Sequence, residues 1–141
     1  MNITPDIVRE VIDNKDIFVE FQPIFSLNTK KIVGLEALAR GDYHGETVSP
    51  YFLFNYAEKT DSVLKVDRLC REKAMCAFKK EKSAPTLYVN FETSVLNNVI
   101  PGNGEILRTA SENNIPPENI VLELNESNVK DTYDLLMFVD Y

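Results

Sequence analysis

The chain has 141 residues, 44% hydrophobic and 26% charged, which suits one soluble globular domain with a real core and excludes a disordered polymer. No run approaches 18 consecutive apolar residues, and Met1 leads into a polar, amphipathic segment rather than a signal peptide, so no membrane segment is expected and the location is expected to be cytoplasmic. A net charge of −7 argues against a nucleic-acid polymer as partner, although clustered carboxylates are what divalent ions need to hold a small phosphate ester.

Thr4-Pro5 opens a helix expected to reach about Asn14, with Ile7, Val8, Val11 and Ile12 on one side. Ile17 to Leu27 and Lys30 to Arg40 read as strands joined at Asn28-Thr29, an antiparallel pair. Alternation in the second strand puts Val33, Leu35, Ala37 and Ala39 on one face, and Gly34, Glu36, Leu38 and Arg40 on the other. Both faces are rich in apolar residues, as in a sheet covered on both sides. Glu36 is costly in that setting unless it is paired or metal-bound. Gly41 to Thr47 reads as a loop. It exposes His44, the only histidine, so neither a histidine triad nor a histidine-rich zinc site is expected.

Ser49-Pro50 starts an aromatic-rich helix ending at Lys59. Thr60-Asp61 reads as the cap of a longer helix, about Ser62 to Glu81, whose Val63, Val66, Cys70, Ala74, Ala77 and Phe78 form a core-facing stripe. Cys70 and Cys76 lie in it without a C-x-x-C spacing and read as reduced, partly buried thiols. Thr86 to Phe91 is a third strand, Glu92 to Asn98 a short helical turn, and Gly104 to Asn113 a helix stopped by Pro116-Pro117. Ile120 to Leu124 is a fourth strand. A last helix is expected from about Asp131 and still runs at Tyr141, with no Gly, Asn or Pro to end it.

A paired start followed by strands alternating with helices predicts a mostly parallel α/β sheet, open or closed into a barrel. A closed eight-stranded barrel takes about 250 residues, so the expected fold is the N-terminal half of a TIM-like (β/α) barrel with an antiparallel first strand pair. Glu36, Asn90 and Glu123 fall at or near the C-terminal ends of three successive predicted strands, where α/β folds gather their active sites. Oxygen donors of this kind suit Mg²⁺, Mn²⁺ or Ca²⁺. Arg40 shares a face with Glu36 and has the fork to grip a phosphate oxygen. The pattern alone leaves capping and surface roles open for the three donors, and leaves Arg40 equally suited to pairing with Asp42 or Glu36.

Phe21-Gln22-Pro23-Ile24, the run Ile32 to Arg40 with Glu36-Ala37-Leu38, Ser49-Pro50, Val89-Asn90, Ile115-Pro116-Pro117 and Leu122-Glu123-Leu124-Asn125-Glu126 occur in the order and spacing of one family. Across roughly residues 15 to 141 the chain resembles the first half of an EAL domain. The resemblance implies a barrel enzyme that hydrolyses cyclic di-guanylate (cyclic di-GMP) to the linear dinucleotide, using two Mg²⁺ or Mn²⁺ ions to activate a water, with Ca²⁺ inhibitory. It implies metal ligation by Glu36, Asn90 and Glu123, phosphate contact by Arg40, a substrate groove lined by Gln22 and Leu38, and an active-site loop anchored by Glu126. Backbone hydrogen bonding for Gln22 and simple packing for Leu38 stay open beside those roles.

Glu92 stands where the family usually has a small hydroxyl residue, and Asn125 where it usually has threonine, which alters the surroundings of the ligands. The larger departure concerns the family's D-D-F-G-type motif and its later lysine, glutamate and glutamine. No Asp-Asp pair occurs in the chain. The expectation is a helix over 1–14, an EAL domain over 15–141 truncated before the Asp-Asp motif, no complete catalytic set, and no activity alone. Self-association or the missing C-terminal half would then cover the open sheet edge. The alternative is a non-catalytic module that binds cyclic di-GMP or a protein partner, and an unrelated structural α/β domain ranks third.

Overall fold

The computed structural model describes residues 2–81, 84–92 and 104–124. Glu126, the helix expected from Asp131 and nearly all of the turn expected after Glu92 lie outside the described residues. Helix α1 (Pro5–Asp13) begins as its sequence dictates, with proline in the first turn and the Thr4 hydroxyl accepting from the Ile7 N–H at 3.5 Å. Strands β1 (Ile17–Phe25) and β2 (Ile32–Tyr43) pair antiparallel from Ile17↔Gly41 to Ile24↔Gly34.

The expected loop at Gly41 to Thr47 is instead a hairpin: β2 runs on to Tyr43 and β3 (Glu46–Val48) folds back on it. His44 and Gly45 take positive φ of 51° and 87°, and the Asp42 carboxylate accepts the Gly45 N–H at 2.8 Å. A two-residue turn with both central φ positive matches the twist of the strands it joins. Helices α2 (Pro50–Lys59) and α3 (Val63–Phe78) follow. The expected cap at Thr60-Asp61 is also corrected. Thr60 closes α2, its hydroxyl donating to the Tyr56 carbonyl oxygen at 2.9 Å, Asp61 makes the left-handed bend, and Ser62 precedes α3. Strand β4 (Thr86–Phe91), helix α4 (Glu105–Glu112), a 3₁₀ turn at Pro117–Asn119 and strand β5 (Ile120–Leu124) complete the described chain.

The sheet order is β1-β2-β4-β5, with β3 also on β2. The β2–β4 and β4–β5 pairs are parallel, so the antiparallel opening gives way to helix-connected parallel strands: part of a TIM-like barrel. β2 pairs with β4 over Gly34 to Ala37 and with β3 over Gly41 to Tyr43, while Leu38 to Arg40 pair with neither. Gly34 is forced by close approach: a Cβ there would lie 2.4 Å from the Tyr88 ring and 3.0 Å from the Thr86 carbonyl oxygen.

Two core clusters hold the layers together, and α3 joins both. Val66 and Leu69 pack with Val11, Val48 and Leu53, whereas Ala74, Met75 and Phe78 pack with Leu35, Leu87 and Val89. The predicted stripe on α3 is therefore correct in outline. Val63, Cys70 and Ala77 are only partly buried, and two charged residues that the stripe left out, Asp67 and Arg71, are buried instead at 2% exposure each. Among the described residues no helix is long and apolar enough to cross a membrane.

Candidate functional site

Register gathers the site. Gln22 lies opposite Glu36 across β1–β2, Glu36 lies opposite Tyr88 across β2–β4, and Asn90 lies opposite Glu123 across β4–β5. Residues in register share a face, as do residues two apart on one strand. Gln22, Glu36, Leu38, Arg40, Asn90 and Glu123 therefore stand on one face, and Leu35, Ala37, Leu87 and Val89 turn to the helices behind it. Asn90 and Glu123 are each the penultimate residue of their strands, as expected. Glu36 is not at a strand end. It sits near the end of the parallel-paired stretch, because β2 continues into the hairpin beyond it.

The three donors meet. The Asn90 side-chain N–H donates to Glu36 Oε1 at 3.2 Å. The Glu123 carboxyl is within hydrogen-bonding reach of Glu36, and its pKa is pushed up by loss of water, by the Glu36 charge and by that hydrogen bond. A cation bound there would offset the Glu36 charge that bears on Glu123. The donor set is all oxygen once the Asn90 amide presents its Oδ1, which fits a hard divalent ion. Among the described residues no three His, Cys, Asp or Glu side chains group to hold a metal; the site offers two carboxylates and an amide.

Arg40 does not take either partner considered from the sequence. Its Nε lies 3.0 Å from Glu20 Oε2, and its Nη1 donates to the Ala39 carbonyl oxygen at 3.0 Å. Glu20 reaches it because Glu20 is opposite Leu38 and Arg40 opposite Phe18, all on the same face. Gln22 is exposed. Leu38 and Asn90 line a cavity of about 240 Å³, together with Pro50 and Phe54 of α2 and Asp67 and Arg71 of α3. It lies where β2 pairs with neither β3 nor β4.

Sequence reasoning missed the charged group behind that cavity. Arg71 Nη1 donates to Asp67 Oδ2, and Arg71 Nη2 donates to Glu105 Oε2 at 3.0 Å. Asp67 Oδ1 accepts the Glu92 backbone N–H at 3.1 Å, and the Arg71 guanidinium lies 4.9 Å from the centre of the Phe91 ring. Burial lowers the Arg71 pKa, against the opposing pull of Glu105. An Asp and an Arg four apart on a helix ordinarily mark a solvated pair. The available signal was their position beside Val66, Cys70 and Ala74 on the buried arc.

A family model for the EAL domain matches residues 6–139. Over 54 residues, 38% of this chain and 10% of the relative, the sequence is 44% identical to the probable cyclic di-GMP phosphodiesterase PdeB of Escherichia coli (strain K12). The fold is similar to the EAL domain of Xanthomonas citri FimX in complex with c-diGMP, with a TM-score of 0.79 and 20% identity over 96% of this chain and 54% of that one. It is similar also to the Pseudomonas aeruginosa FimX EAL domain bound to c-di-GMP, with a TM-score of 0.73 and 22% identity over 94% of this chain and 53% of that one. The chain thus spans about half the length of these solved chains and a tenth of the curated relative. With the family model matched over nearly its whole length, the chain belongs to the EAL domain family.

Proposed function

We propose that this chain is the N-terminal part of a module for hydrolysing cyclic di-GMP to the linear dinucleotide, with Glu36, Asn90 and Glu123 holding Mg²⁺ or Mn²⁺, and that this polypeptide alone has no meaningful turnover. The observation that carries the reading is the convergence of Glu36, Asn90 and Glu123 on one sheet face, with Asn90 3.2 Å from Glu36. The curated relative is named as a probable cyclic di-GMP phosphodiesterase, which supports the substrate class.

In this reading Glu36, Asn90 and Glu123 would hold the divalent ions, which would activate a water and offset charge at the phosphate. The chain's own residues set the stage for that chemistry. Glu36 and Glu123 provide the negative charge, and the Asn90 amide orients the Glu36 carboxylate. Arg40, steadied by Glu20, offers a guanidinium to a phosphate oxygen. Gln22 and Leu38 flank the groove, and Glu126 is assigned the family's loop-anchoring role. Ca²⁺ at the same residues would be inhibitory. The absence of an Asp-Asp pair from the sequence underlies the proposed inactivity. A cytoplasmic location belongs to the same reading.

The test is to incubate the purified chain with cyclic di-GMP and Mg²⁺ or Mn²⁺ and follow the linear product by chromatography. No product is expected. Robust turnover, lost in Glu36→Ala, would overturn the proposal of inactivity. A second reading, a receptor that binds without hydrolysis, draws support from the FimX EAL domains solved with the dinucleotide bound. Calorimetry with cyclic di-GMP and Ca²⁺ separates the two: binding by the chain, with no turnover in Mg²⁺, would favour the receptor.

A further inference from the structure

We propose that Asp67 is a positioning residue: from helix α3 it holds the tip of β4 and so sets Asn90 against Glu36. The inference rests on reading Asn90 as part of the site. Three observations carry it. First, the ladder from β2 to β4 stops at Ala37↔Val89, one residue short of Asn90, whereas β5 continues alongside through Asn90↔Glu123 and Phe91↔Leu124. Among the described strands, the tip of β4 is therefore laddered to β5 and not to β2. Second, Asp67 Oδ1 accepts the Glu92 N–H at 3.1 Å, taking up a backbone donor just past the point where β2 gives out. Third, Asp67 is fixed in turn. Its other oxygen accepts from Arg71, which is held by Glu105 and covers the Phe91 ring at 4.9 Å.

Both residues that follow Asn90 are therefore tied to α3. A buried ion pair is on average no more stabilising than well-packed apolar side chains. Its presence here is accounted for by what Asp67 holds with its second oxygen. Groups that orient a ligand from behind typically change metal affinity about 10–100-fold when removed.

The experiment compares the whole chain with Asp67→Ala and Asp67→Asn. Asparagine keeps an oxygen for the Glu92 N–H and loses the charge that pairs with Arg71. In the metal-free ¹⁵N-labelled protein, the Asn90 side-chain amide signals report its bond to Glu36, and exchange of the Glu92 amide reports the grip of Asp67. Asp67→Ala is expected to move the Asn90 signals toward those of a free amide and to speed Glu92 exchange at least about tenfold. Asp67→Asn is expected to lower the melting temperature yet keep both signatures. A Mn²⁺ titration should show weakening of about 10–100-fold for alanine and little for asparagine. If the wild-type chain binds no Mn²⁺, the metal reading fails, and the amide signals still decide the positioning role. A folded Asp67→Ala with wild-type Asn90 and Glu92 signals would overturn the proposal, as would an Asp67→Asn as disturbed as alanine. Should the alanine variant not fold, Asp67→Asn decides alone.

Discussion

At the Glu123 carboxyl, loss of water and the neighbouring Glu36 both push the pKa up. An ionised Glu123 therefore costs the metal-free fold stability near neutral pH. That cost fades as pH falls through the raised folded-state value and is gone below the unfolded one. Glu123→Gln keeps the shape and removes the charge, so the metal-free variant should melt a few degrees higher than wild type at pH 7 in the presence of a chelator. A lower melting temperature would show that the carboxylate is stabilising where it stands. The cysteines give a second residue-scale test. Burial pushes the Cys70 thiol up to about 12, whereas Cys76 is exposed, so a disulfide reagent at pH 8 should titrate one thiol per native chain and two after denaturation. Rapid labelling of both in the native protein would contradict that. Glu36, Asn90 and Glu123 were legible in the sequence because an acid or amide stands out near the end of an apolar strand. The partner of Arg40 was not, since Glu20 comes from another strand and only the register brings them together.

The elements themselves were mostly legible. β4 and β5 occupy the expected residues, since each is a short apolar run with a proline-containing turn just before it. The end of β2 was not, because Gly41, Asp42 and Gly45 carry turn chemistry that here continues a strand into a hairpin. Asp67 and Arg71 were also missed, since only the packing of α3 against β4 and α4 makes a helical charge pair a buried one. Gly34 carries the sharpest packing constraint. Gly34→Ala would drive a methyl into the Tyr88 ring and against the Thr86 carbonyl oxygen, with an expected cost of about 1–3 kcal/mol in urea denaturation. Unchanged stability would mean that the ring is free to move aside.

On the scale of the molecule, the described sheet has edges at β1 and β5, and large apolar side chains such as Phe18 and Phe25 lie exposed. Unpaired edges and exposed aromatics favour covering by another surface. We expect light scattering on the purified chain to report a mass above the 16.1 kDa of one copy, and a clean monomer would contradict this. The half-barrel plan was legible from the order of strands and helices, while the facing of Glu36, Asn90 and Glu123 depended on strand register that no local pattern encodes. The most direct test of the account is a calorimetric titration of Mn²⁺ into the wild-type chain and into Glu36→Gln, Asn90→Ala and Glu123→Gln. Saturable binding to wild type, weakened at least about tenfold in each variant without loss of folding, is the predicted result. No binding, or binding that all three substitutions leave unchanged, would contradict it.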